Sequence, residues 1–535
     1  MVFLAEKKVT IPTKDLLSWT FDDVPYNQDD PIYIDAAKPS RSISANQARV
    51  IIRKLVAGII AAGGIFAGTN PSYTPHELVH HIKTSHTKFL ITEPEMLDSA
   101  LSAAKECSIS PSNIWIFDVL DQAIPPGFRS FKELMSHGEK DWVRFDDEKT
   151  SKETTAARLF SSGTTGLPKA AMLSHYNLIA EHVLVFEQVP KPFITRRLLA
   201  LPMFHAACVP GPSIAPYLLE LGAKYTTVAH TSALKGGHVS IIMRRFELTS
   251  FLNNAQKYQV NELSLVPPII IAIIMSGLAG NKLRSVQLVG VGAAPLGAES
   301  QAKLKALCAP GACVNQVWGM TETSCVGSMF YYGENDTTGS IGRMMPNIDA
   351  KIIDDDGKDI TDYDVRGELC VRGPTVISGY FENPTTNAQS FDSDGFFKTG
   401  DIVYCSRASK KWYIIDRKKD LIKVRGFQVA PPEIESVLLS HPLIVDAAVI
   451  GIRTTAGGDG ELPRAYVVKR GVEESKALGE KEVKEWCAGR LARYKELTGG
   501  VRFVEAIPKN ASGKILKRQL REEAEKEMEG VKARL

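Results

Sequence analysis

Short apolar runs alternate with longer amphipathic stretches through the middle of the chain. Runs rich in leucine, valine and threonine predict buried strands at RRLLALPMF (196–204), KYTTVA (224–229), NELSLVP (261–267) and SVQLVGVG (285–292). Helical spacing predicts helices between them at HYNLIAEHVLVFEQ (175–188), FELTSFLNNAQKY (246–258) and LGAESQAKLKALC (296–308). Regular alternation of strands and helices indicates an α/β architecture with largely parallel sheets covered by helices.

The pattern changes after about residue 340. Short strands with Gly and Asp-Gly turns follow one another there, which predicts an antiparallel, barrel-like subdomain. From Asp416 onward a proline-initiated helix, PPEIESVLLSHPLI, precedes the strands DAAVIGI and RAYVVKR. We therefore predict a large N-terminal domain (1–415) of two parallel-type α/β sheets plus the barrel-like subdomain, followed by a small mobile α+β domain (416–535) with its hinge at 416–420.

Composition narrows the class of protein. A formal net charge of +3 over 535 residues predicts neither nucleic-acid binding nor attachment to acidic membranes. The eight cysteines are scattered without a CxxC pair, which is typical of reduced thiols in the cytoplasm or another reducing compartment. The most apolar stretch, 266–280, is too short for a membrane span, and the N-terminus has no secretory pattern.

The segment LFSSGTTGLPKAAMLSHYN (159–177) carries the strongest chemical signal. Glycines allow the backbone to approach a phosphate, and hydroxyls and consecutive amides donate to its oxygens. Lys169 adds a cation, although the spacing differs from the Walker P-loop. Such a run can also be a solvated turn. The order of residues favours a phosphate cradle, made of Ser161, Ser162, Gly163, Thr164, Thr165, Gly166 and Lys169.

SSGTTGLPKA resembles the phosphate loop of the acyl-adenylate-forming superfamily, which includes acyl-CoA synthetases and luciferases. Other segments follow in that family's order: LPMFHAA (201–207), GAAPLG (292–297), VWGMTET (317–323), GFFKTGD (395–401), the hinge 414–435 and PKNASGKI (508–515). RGFQVAPPEIE is similar to the 4-coumarate:CoA ligase-like branch. The resemblance implies ATP and coenzyme A as co-substrates and Mg²⁺ as the metal.

The resemblance also implies a role for each matched residue. Thr321 would bind the α-phosphate, Glu322 would bind Mg²⁺, and Asp401 with Arg417 would bind the ribose. Trp318 stands where the family more often has a tyrosine stacked on adenine. The adenine and acyl-pocket floor would be formed by Gly292, Ala293, Ala294 and Gly319. Taken alone, each of these is more often an ordinary turn, packing or surface residue.

Residues with catalytic roles follow from the same comparison. Lys514 would stabilise the charge that grows when a carboxylate attacks the α-phosphorus. His205 would gate the acid pocket, Lys419 would be the hinge, and Lys423 and Gln428 would meet the adenylate. The implied reaction forms an acyl-adenylate and pyrophosphate. Rotation of the small domain then lets coenzyme A displace AMP.

One stretch departs from the family. KLVAGIIAAGGIFAGTNPSYTPHEL (54–78) joins two segments between which the family normally has a strand and a helix. We expect about 25 residues to be absent near Gly58-Ile59, judging by ordinary element lengths. Loss of a buried strand would leave its neighbours unpaired. A non-catalytic, destabilised variant is therefore an alternative to the ligase, as is an enzyme that adenylates without coenzyme A.

The sequence says less about which carboxylic acid is the substrate and about where in the cell the protein is located. The predicted pocket, His205 to Cys208 with Gly292 to Ala294 and Met320 to Cys325, is small and apolar, which suits aryl or phenylpropanoid acids and medium-chain acids. The final tripeptide Ala533-Arg534-Leu535 is similar to the peroxisomal address S-K-L. It predicts recognition by the peroxisomal import receptor.

Overall fold

The computed structural model describes residues 2–59, 66–69, 73–118, 122–161, 168–200, 227–424, 427–453, 461–509 and 514–532. His205, most of the phosphate loop (162–167), the junction next to Ile59 and the C-terminal tripeptide lie outside the described residues. Up to Gln316 the strands are β1 (Pro31–Asp35), β2 (Ser42–Ser44), β3 (Phe66–Ala67), β4 (Leu90–Thr92), β5 (Ile114–Ile116), β6 (Arg129–Ser130), β7 (Thr155–Ser161), β8 (Lys169–Ser174), β9 (Arg196–Leu199), β10 (Val239–Ile242), β11 (Glu262–Leu265), β12 (Leu288–Val291) and β13 (Cys313–Gln316).

A seven-stranded sheet forms the centre of this part, in the order β13-β12-β11-β9-β10-β1-β2. All neighbours are parallel except β1 and β2. The strands predicted at 261–267 and 285–292 are confirmed as β11 and β12. Their apolar side chains are buried because helices cover both faces, as in other parallel sheets.

The helices of this part are α1 (Leu16–Phe21), α2 (Ala45–Ile59), α3 (Pro75–Ser85), α4 (Leu97–Glu106), α5 (Glu148–Glu153), α6 (His175–His182), α7 (Thr227–Gly236), α8 (Leu248–Lys257), α9 (Pro267–Ser276) and α10 (Ala298–Leu307). A π-helical turn, Val183–Glu187, continues α6. The helices predicted at 175–188, 246–258 and 296–308 are confirmed. No helix within the described ranges is long and apolar enough to cross a membrane.

The prediction of a strand at KYTTVA (224–229) is wrong from Thr227 onward, because α7 begins there. Thr227 and Val228 favour a strand locally. Ala233 and Leu234 in the same helix are fully buried in the cluster around Phe21 and Ile52, and α7 packs against α1 and α6. Tertiary packing thus overrides the local preference of the β-branched residues.

Two further sheets have three strands each: β3-β7-β8, in which β3 and β7 are parallel and β7 and β8 are antiparallel, and β4-β5-β6, which is parallel throughout. Strands β3 and β4 follow one another along the chain, are joined by α3, and each lies at the edge of its own sheet. Among the described residues, no strand pairs with the outer edge of either. Next to and within β4, Phe89 is 51% exposed and Ile91 is 38% exposed. We call these two unpaired edges the open seam between β3 and β4, and we infer that an additional parallel strand would pair with them.

Beyond Gln316 the strands are β14 (Ser328–Met329), β15 (Arg343–Met344), β16 (Asp349–Ile353), β17 (Gly367–Arg372), β18 (Phe397–Cys405) and β19 (Trp412–Arg417), with helix α11 (Pro384–Ser390). The last four strands form one antiparallel sheet in sequence order. The short antiparallel strands are confirmed, but the barrel-like closure is wrong, because β16 and β19 remain the two edges of an open sheet within the described residues.

The small C-terminal unit contains strands β20 (Ile422–Val424), β21 (Phe427–Val429), β22 (Ile444–Arg453), β23 (Glu461–Lys469) and β24 (Val501–Phe503), and helices α12 (Pro431–Leu439), α13 (Glu480–Ala488) and α14 (Lys517–Lys532). Two prolines start α12, where the missing N–H groups cost no helical hydrogen bond. Ile434, Leu438, Val449 and Val467 form its buried core. This unit has the predicted α+β character.

Candidate active site

Two loops meet at the carboxyl edge of the central sheet. Gly292 to Ala294 follow β12 and Trp318 to Glu322 follow β13, and these strands are parallel neighbours, with Val291 opposite Gln316. The amide side chain of Gln316 accepts a hydrogen bond from the backbone N–H of Leu296 at 2.9 Å, which ties the first loop to β13. In open α/β sheets, ligands bind at this edge. The structure therefore brings together the residues predicted to bind the nucleotide.

Gly319 is required by a close backbone approach. A Cβ atom added to Gly319 would lie 1.5 Å from the carbonyl oxygen of Cys325, so no other residue fits without a shift of the backbone. Thr321 and Glu322 follow in a tight turn, Thr321–Thr323, and both are buried. The side chains predicted to meet phosphate and metal are thus held on a compact, rigid loop.

The phosphate loop connects two antiparallel strands. Ser161, the last residue of β7, lies directly opposite Lys169, the first residue of β8. The ammonium of Lys169 lies 5.4 Å from the ring centroid of Tyr380. The segment around Tyr380 pairs with β8, since the N–H of Phe381 donates to the carbonyl of Ala170 at 2.8 Å. Both ends of the loop are therefore fixed by the sheet, and Lys169 projects beside Tyr380.

Tyr380 is a site residue that the sequence analysis missed. Its hydroxyl donates to Glu322 Oε1 at 2.7 Å, and the ring is 5% exposed. Burial, together with the charge of Glu322, raises the pKa of Tyr380 further above its usual range, so the phenol remains a donor. Tyr380 thus links Glu322 to the phosphate loop. A single tyrosine in SGYFENP gives no signal that separates it from an ordinary core residue.

Asp401 and Arg417 face each other across two strands. Asp401 on β18 pairs in register with Arg417 on β19, and Arg417 Nε lies 3.3 Å from Asp401 Oδ1. The other oxygen, Asp401 Oδ2, accepts a hydrogen bond from the indole N–H of Trp318 at 2.8 Å. The three residues predicted to hold the nucleoside are therefore in direct contact. Stacking of adenine on Trp318, whose side chain is 4% exposed, stays a prediction.

Lys514, from the small C-terminal unit, lies beside this pair. Burial and the positive charges of Arg417 and Lys419 lower the pKa of Lys514 to about 8, while Asp420 and Asp401 act in the opposite direction. Burial also lowers the pKa of Lys419. These mutual effects require the groups to be close together. The structure thus unites Asp401, Arg417, Lys419 and Lys514, which come from distant parts of the chain.

Lys423 and Gln428 lie directly opposite each other in the β20–β21 hairpin. The backbone N–H of Lys423 donates to Glu461 at 2.9 Å, which anchors the hairpin to β23. The side chain of Gln428 lies outside the described part. The hairpin places both residues at one point of the small unit, and their contact with an adenylate stays a prediction.

The lowered pKa of Lys514 predicts how activity depends on pH. Because the ammonium must be charged to stabilise phosphate, kcat/KM for ATP in pyrophosphate release is expected to fall as pH rises through about 8. This parameter reports the free enzyme. Lys514→Arg stays charged at any accessible pH and should move the decline upward by more than about one pH unit. The measurement is a profile from about pH 6.5 to 10, and an unchanged decline in Lys514→Arg would assign it to another group.

Comparison with known proteins identifies the class. A family model described as AMP-binding enzyme matches residues 53–381, and one described as AMP-binding enzyme C-terminal domain matches residues 433–514. The chain belongs to the AMP-binding enzyme family, and the resemblance inferred from its motifs is confirmed.

Individual relatives are acyl-CoA ligases by name. The chain is 47% identical to phenylacetyl-CoA ligase epaB of Aspergillus niger, over 99% of this chain and 100% of the relative. It is 46% identical to acyl-CoA ligase azaF of Aspergillus niger, over 97% of this chain and 100% of that relative. A protein named probable 4-coumarate–CoA ligase 2, from Dictyostelium discoideum, is 33% identical over 87% of this chain and 82% of that relative.

Solved structures show the same fold. The ATP-bound crystal structure of MatB from Rhodopseudomonas palustris matches with a TM-score of 0.77 and 26% identity, covering 95% of this chain and 98% of that one. The anthranilate CoA ligase AuaEII, in complex with anthranoyl-AMP, matches in fold with a TM-score of 0.80 and 19% identity. The match covers 98% of this chain and 99% of that one.

Proposed function

We propose that the chain is an ATP-dependent carboxylic acid:CoA ligase that works through an acyl-adenylate. The observation that carries this proposal is the contact of Asp401 with both Trp318 and Arg417, next to the loop that holds Glu322. Lys514 is close enough for the charges of Asp401 and Arg417 to act on its pKa. A nucleoside held by Asp401 and Arg417 would direct its phosphates toward Lys514 from the small unit and toward Lys169 from the large one. The full-length similarity to acyl-CoA ligases supports the same reaction.

In the first half of the reaction, a carboxylate oxygen attacks the α-phosphorus of ATP. The bond from that phosphorus to the oxygen bridging to the β-phosphate breaks, and pyrophosphate leaves. Negative charge on the phosphate oxygens is offset by Lys514 and Lys169, which act by position and charge rather than by covalent chemistry. The mixed anhydride gives the acyl group a good leaving group, AMP.

In the second half, the sulfur of coenzyme A attacks the acyl carbon. The carbon–oxygen bond to AMP breaks, and the thiol proton passes to the AMP phosphate or to water. Lys419 lies at the predicted hinge between the large and small units, so rotation there would carry Lys514 away and bring the hairpin with Lys423 and Gln428 to the cleft. One cleft would thus serve both halves.

Glu322 fits the chemistry of a magnesium ligand. It is a buried hard carboxylate with one oxygen already oriented by Tyr380, whose ring lies 5.4 Å from the ammonium of Lys169. Within the described residues no group of three or more acidic, histidine or cysteine side chains could hold a metal. Mg²⁺ commonly binds one carboxylate together with substrate phosphates and water, which is the role proposed for Glu322. When bound, Mg²⁺ would neutralise phosphate charge and orient the pyrophosphate leaving group.

We further propose an aryl-substituted acid, of the arylacetic or phenylpropanoid type, as the substrate, with a medium-chain acid as the alternative. The relative named phenylacetyl-CoA ligase, at 47% identity over the whole chain, supports the first. Gly292 and Ala294, predicted to line the acyl pocket, are small residues, which agrees with a ring-bearing acid. Import into peroxisomes through Ala533-Arg534-Leu535 stays a prediction.

The decisive experiment measures pyrophosphate and AMP with and without coenzyme A, for a panel that includes phenylacetic, cinnamic, benzoic and octanoic acids. A ligase is expected to release pyrophosphate with its acid and to turn over repeatedly to AMP and thioester only when coenzyme A is present. Equal steady AMP formation in both arms would instead establish adenylation without coenzyme A. Release with none of the acids, together with a low melting temperature, would favour the destabilised variant that the open seam between β3 and β4 suggests.

A further inference from the structure

Trp318 and Asp401 form a buried hydrogen bond between a ring donor and a carboxylate. The indole N–H donates to Asp401 Oδ2 at 2.8 Å, and both residues are 4% exposed. A bond to an ionised group is stronger than one between neutral groups, and burial removes the competition with water. The contact joins residues 83 positions apart, so it is a product of the fold.

Trp318 is held rigidly enough to act as a fixed donor. Its backbone N–H donates to Ser328 at 3.1 Å, and its carbonyl accepts from Gly327 at 2.8 Å. The ring lies against the backbone of Gly327, where an added Cβ would come within 2.3 Å of a ring carbon. These contacts hold the indole in place with its N–H directed at Asp401.

The two oxygens of Asp401 have separate protein partners. Oδ1 faces Arg417 on the neighbouring strand, and Oδ2 faces Trp318 on the loop after β13. A carboxylate offers about four acceptor positions, two on each oxygen. Trp318 occupies one acceptor position on Oδ2, and Arg417 forms an ion pair with Oδ1, so each oxygen keeps at least one acceptor position. Two adjacent acceptor positions match the two neighbouring hydroxyls of a ribose.

We propose that Trp318 is a positioning residue that orients Asp401 so that its carboxylate receives both ribose hydroxyls of ATP. This rests on the proposed function and adds to it, because the resemblance assigns Trp318 only a stacking contact with adenine. The orientation depends on a donor at the side of the ring, which phenylalanine lacks. The aromatic face and the hydrogen bond can therefore be separated by substitution.

The experiment compares the binding of ATP and 3′-deoxy-ATP by calorimetry without any acid, so that it does not depend on turnover. In Trp318→Phe the Kd for ATP is expected to rise roughly 10- to 100-fold, the range for loss of a bond to a charged group. The Kd for 3′-deoxy-ATP should rise much less, because that nucleotide lacks one of the two ribose hydroxyls that donate to Asp401. Discrimination between the two nucleotides should therefore fall.

Trp412→Phe is the matched control, since Trp412 is also a buried tryptophan in the sheet that carries Asp401. It should keep the discrimination of the unmodified protein. If Trp318→Phe melts well below Trp412→Phe, all binding measurements are made at a temperature at which both variants are folded, as checked by circular dichroism. Unchanged affinity for ATP, or an equal loss for both nucleotides, would overturn the proposal. Failure of the proposed function would show differently, as ATP binding with discrimination but no pyrophosphate release with any acid.

Discussion

Replacing Lys514 with alanine is expected to slow acyl-adenylate formation roughly 10²- to 10³-fold, the usual cost of removing one preorganised group that stabilises transition-state charge. Thioester formation from preformed acyl-adenylate and coenzyme A should remain largely intact. The physical reason is that Lys514 lies beside Asp401 and Arg417, where negative charge grows only during attack on the α-phosphorus. The two halves are measured separately, as pyrophosphate release and as thioester formed from synthetic acyl-adenylate.

Lys509→Ala provides the control from the same loop. The ammonium of Lys509 lies 2.6 Å from Asp446, within the small unit, and is not part of the ribose pair. Its removal should change either half-reaction by less than about threefold, as expected for a partly exposed ion pair. An equal loss of both half-reactions in Lys514→Ala would show that Lys514 supports the structure of the site rather than adenylation.

Adding a strand to the seam between β3 and β4 is expected to raise the melting temperature by roughly 10 °C. Burying two apolar side chains contributes about 1.5–3 kcal/mol each, and each kcal/mol shifts the midpoint of a domain of this size by about 2–4 °C. The alignment with phenylacetyl-CoA ligase epaB runs over 561 residues, at least 26 more than this chain has. We expect the surplus to lie between the matches of Ile59 and Phe66.

The experiment inserts that surplus stretch of the relative after Ile59 and compares it with a Gly/Ser insert of the same length. Thermal unfolding and pyrophosphate release are measured for both. The relative's stretch should stabilise the protein and cover Phe89 and Ile91, whereas the Gly/Ser insert should not. Equal melting temperatures for the two inserts, or a surplus located elsewhere in the alignment, would contradict the prediction of a missing strand.

The parts of the fold that could be predicted depend on short-range information. Strand β12 lies in an apolar run of ordinary strand length, and α12 begins at Pro431 as predicted, so the local pattern was sufficient. Closure of a barrel depends on pairing between distant strands, which local turns do not specify. The helix at Thr227–Gly236 was missed because burial of Ala233 and Leu234 outweighs the β-branched residues before them.

The same limit applies to the site. Residues within matched segments, such as Lys169, Asp401 and Lys514, could be named because the family resemblance assigns them. Contacts between segments could not be predicted in this way. The hydrogen bond from Tyr380 to Glu322 joins residues 58 positions apart, and the sequence around neither residue indicates it. The hydrogen bond from Trp318 to Asp401 could not be predicted for the same reason. From the sequence alone, tryptophan in place of tyrosine indicates only a different aromatic ring.

The opposition of Asp401 and Arg417 is set by the alignment of two strands, and this makes the site sensitive to the length of the chain as well as to its composition. The turn Ser406–Lys411 joins these strands, and the N–H of Ser406 donates to the carbonyl of Lys411 at 2.9 Å. Adding or removing one residue there would shift the pairing and turn one of the two side chains to the other face of the sheet. Substitutions in this distant turn should therefore be tolerated far better than insertions or deletions.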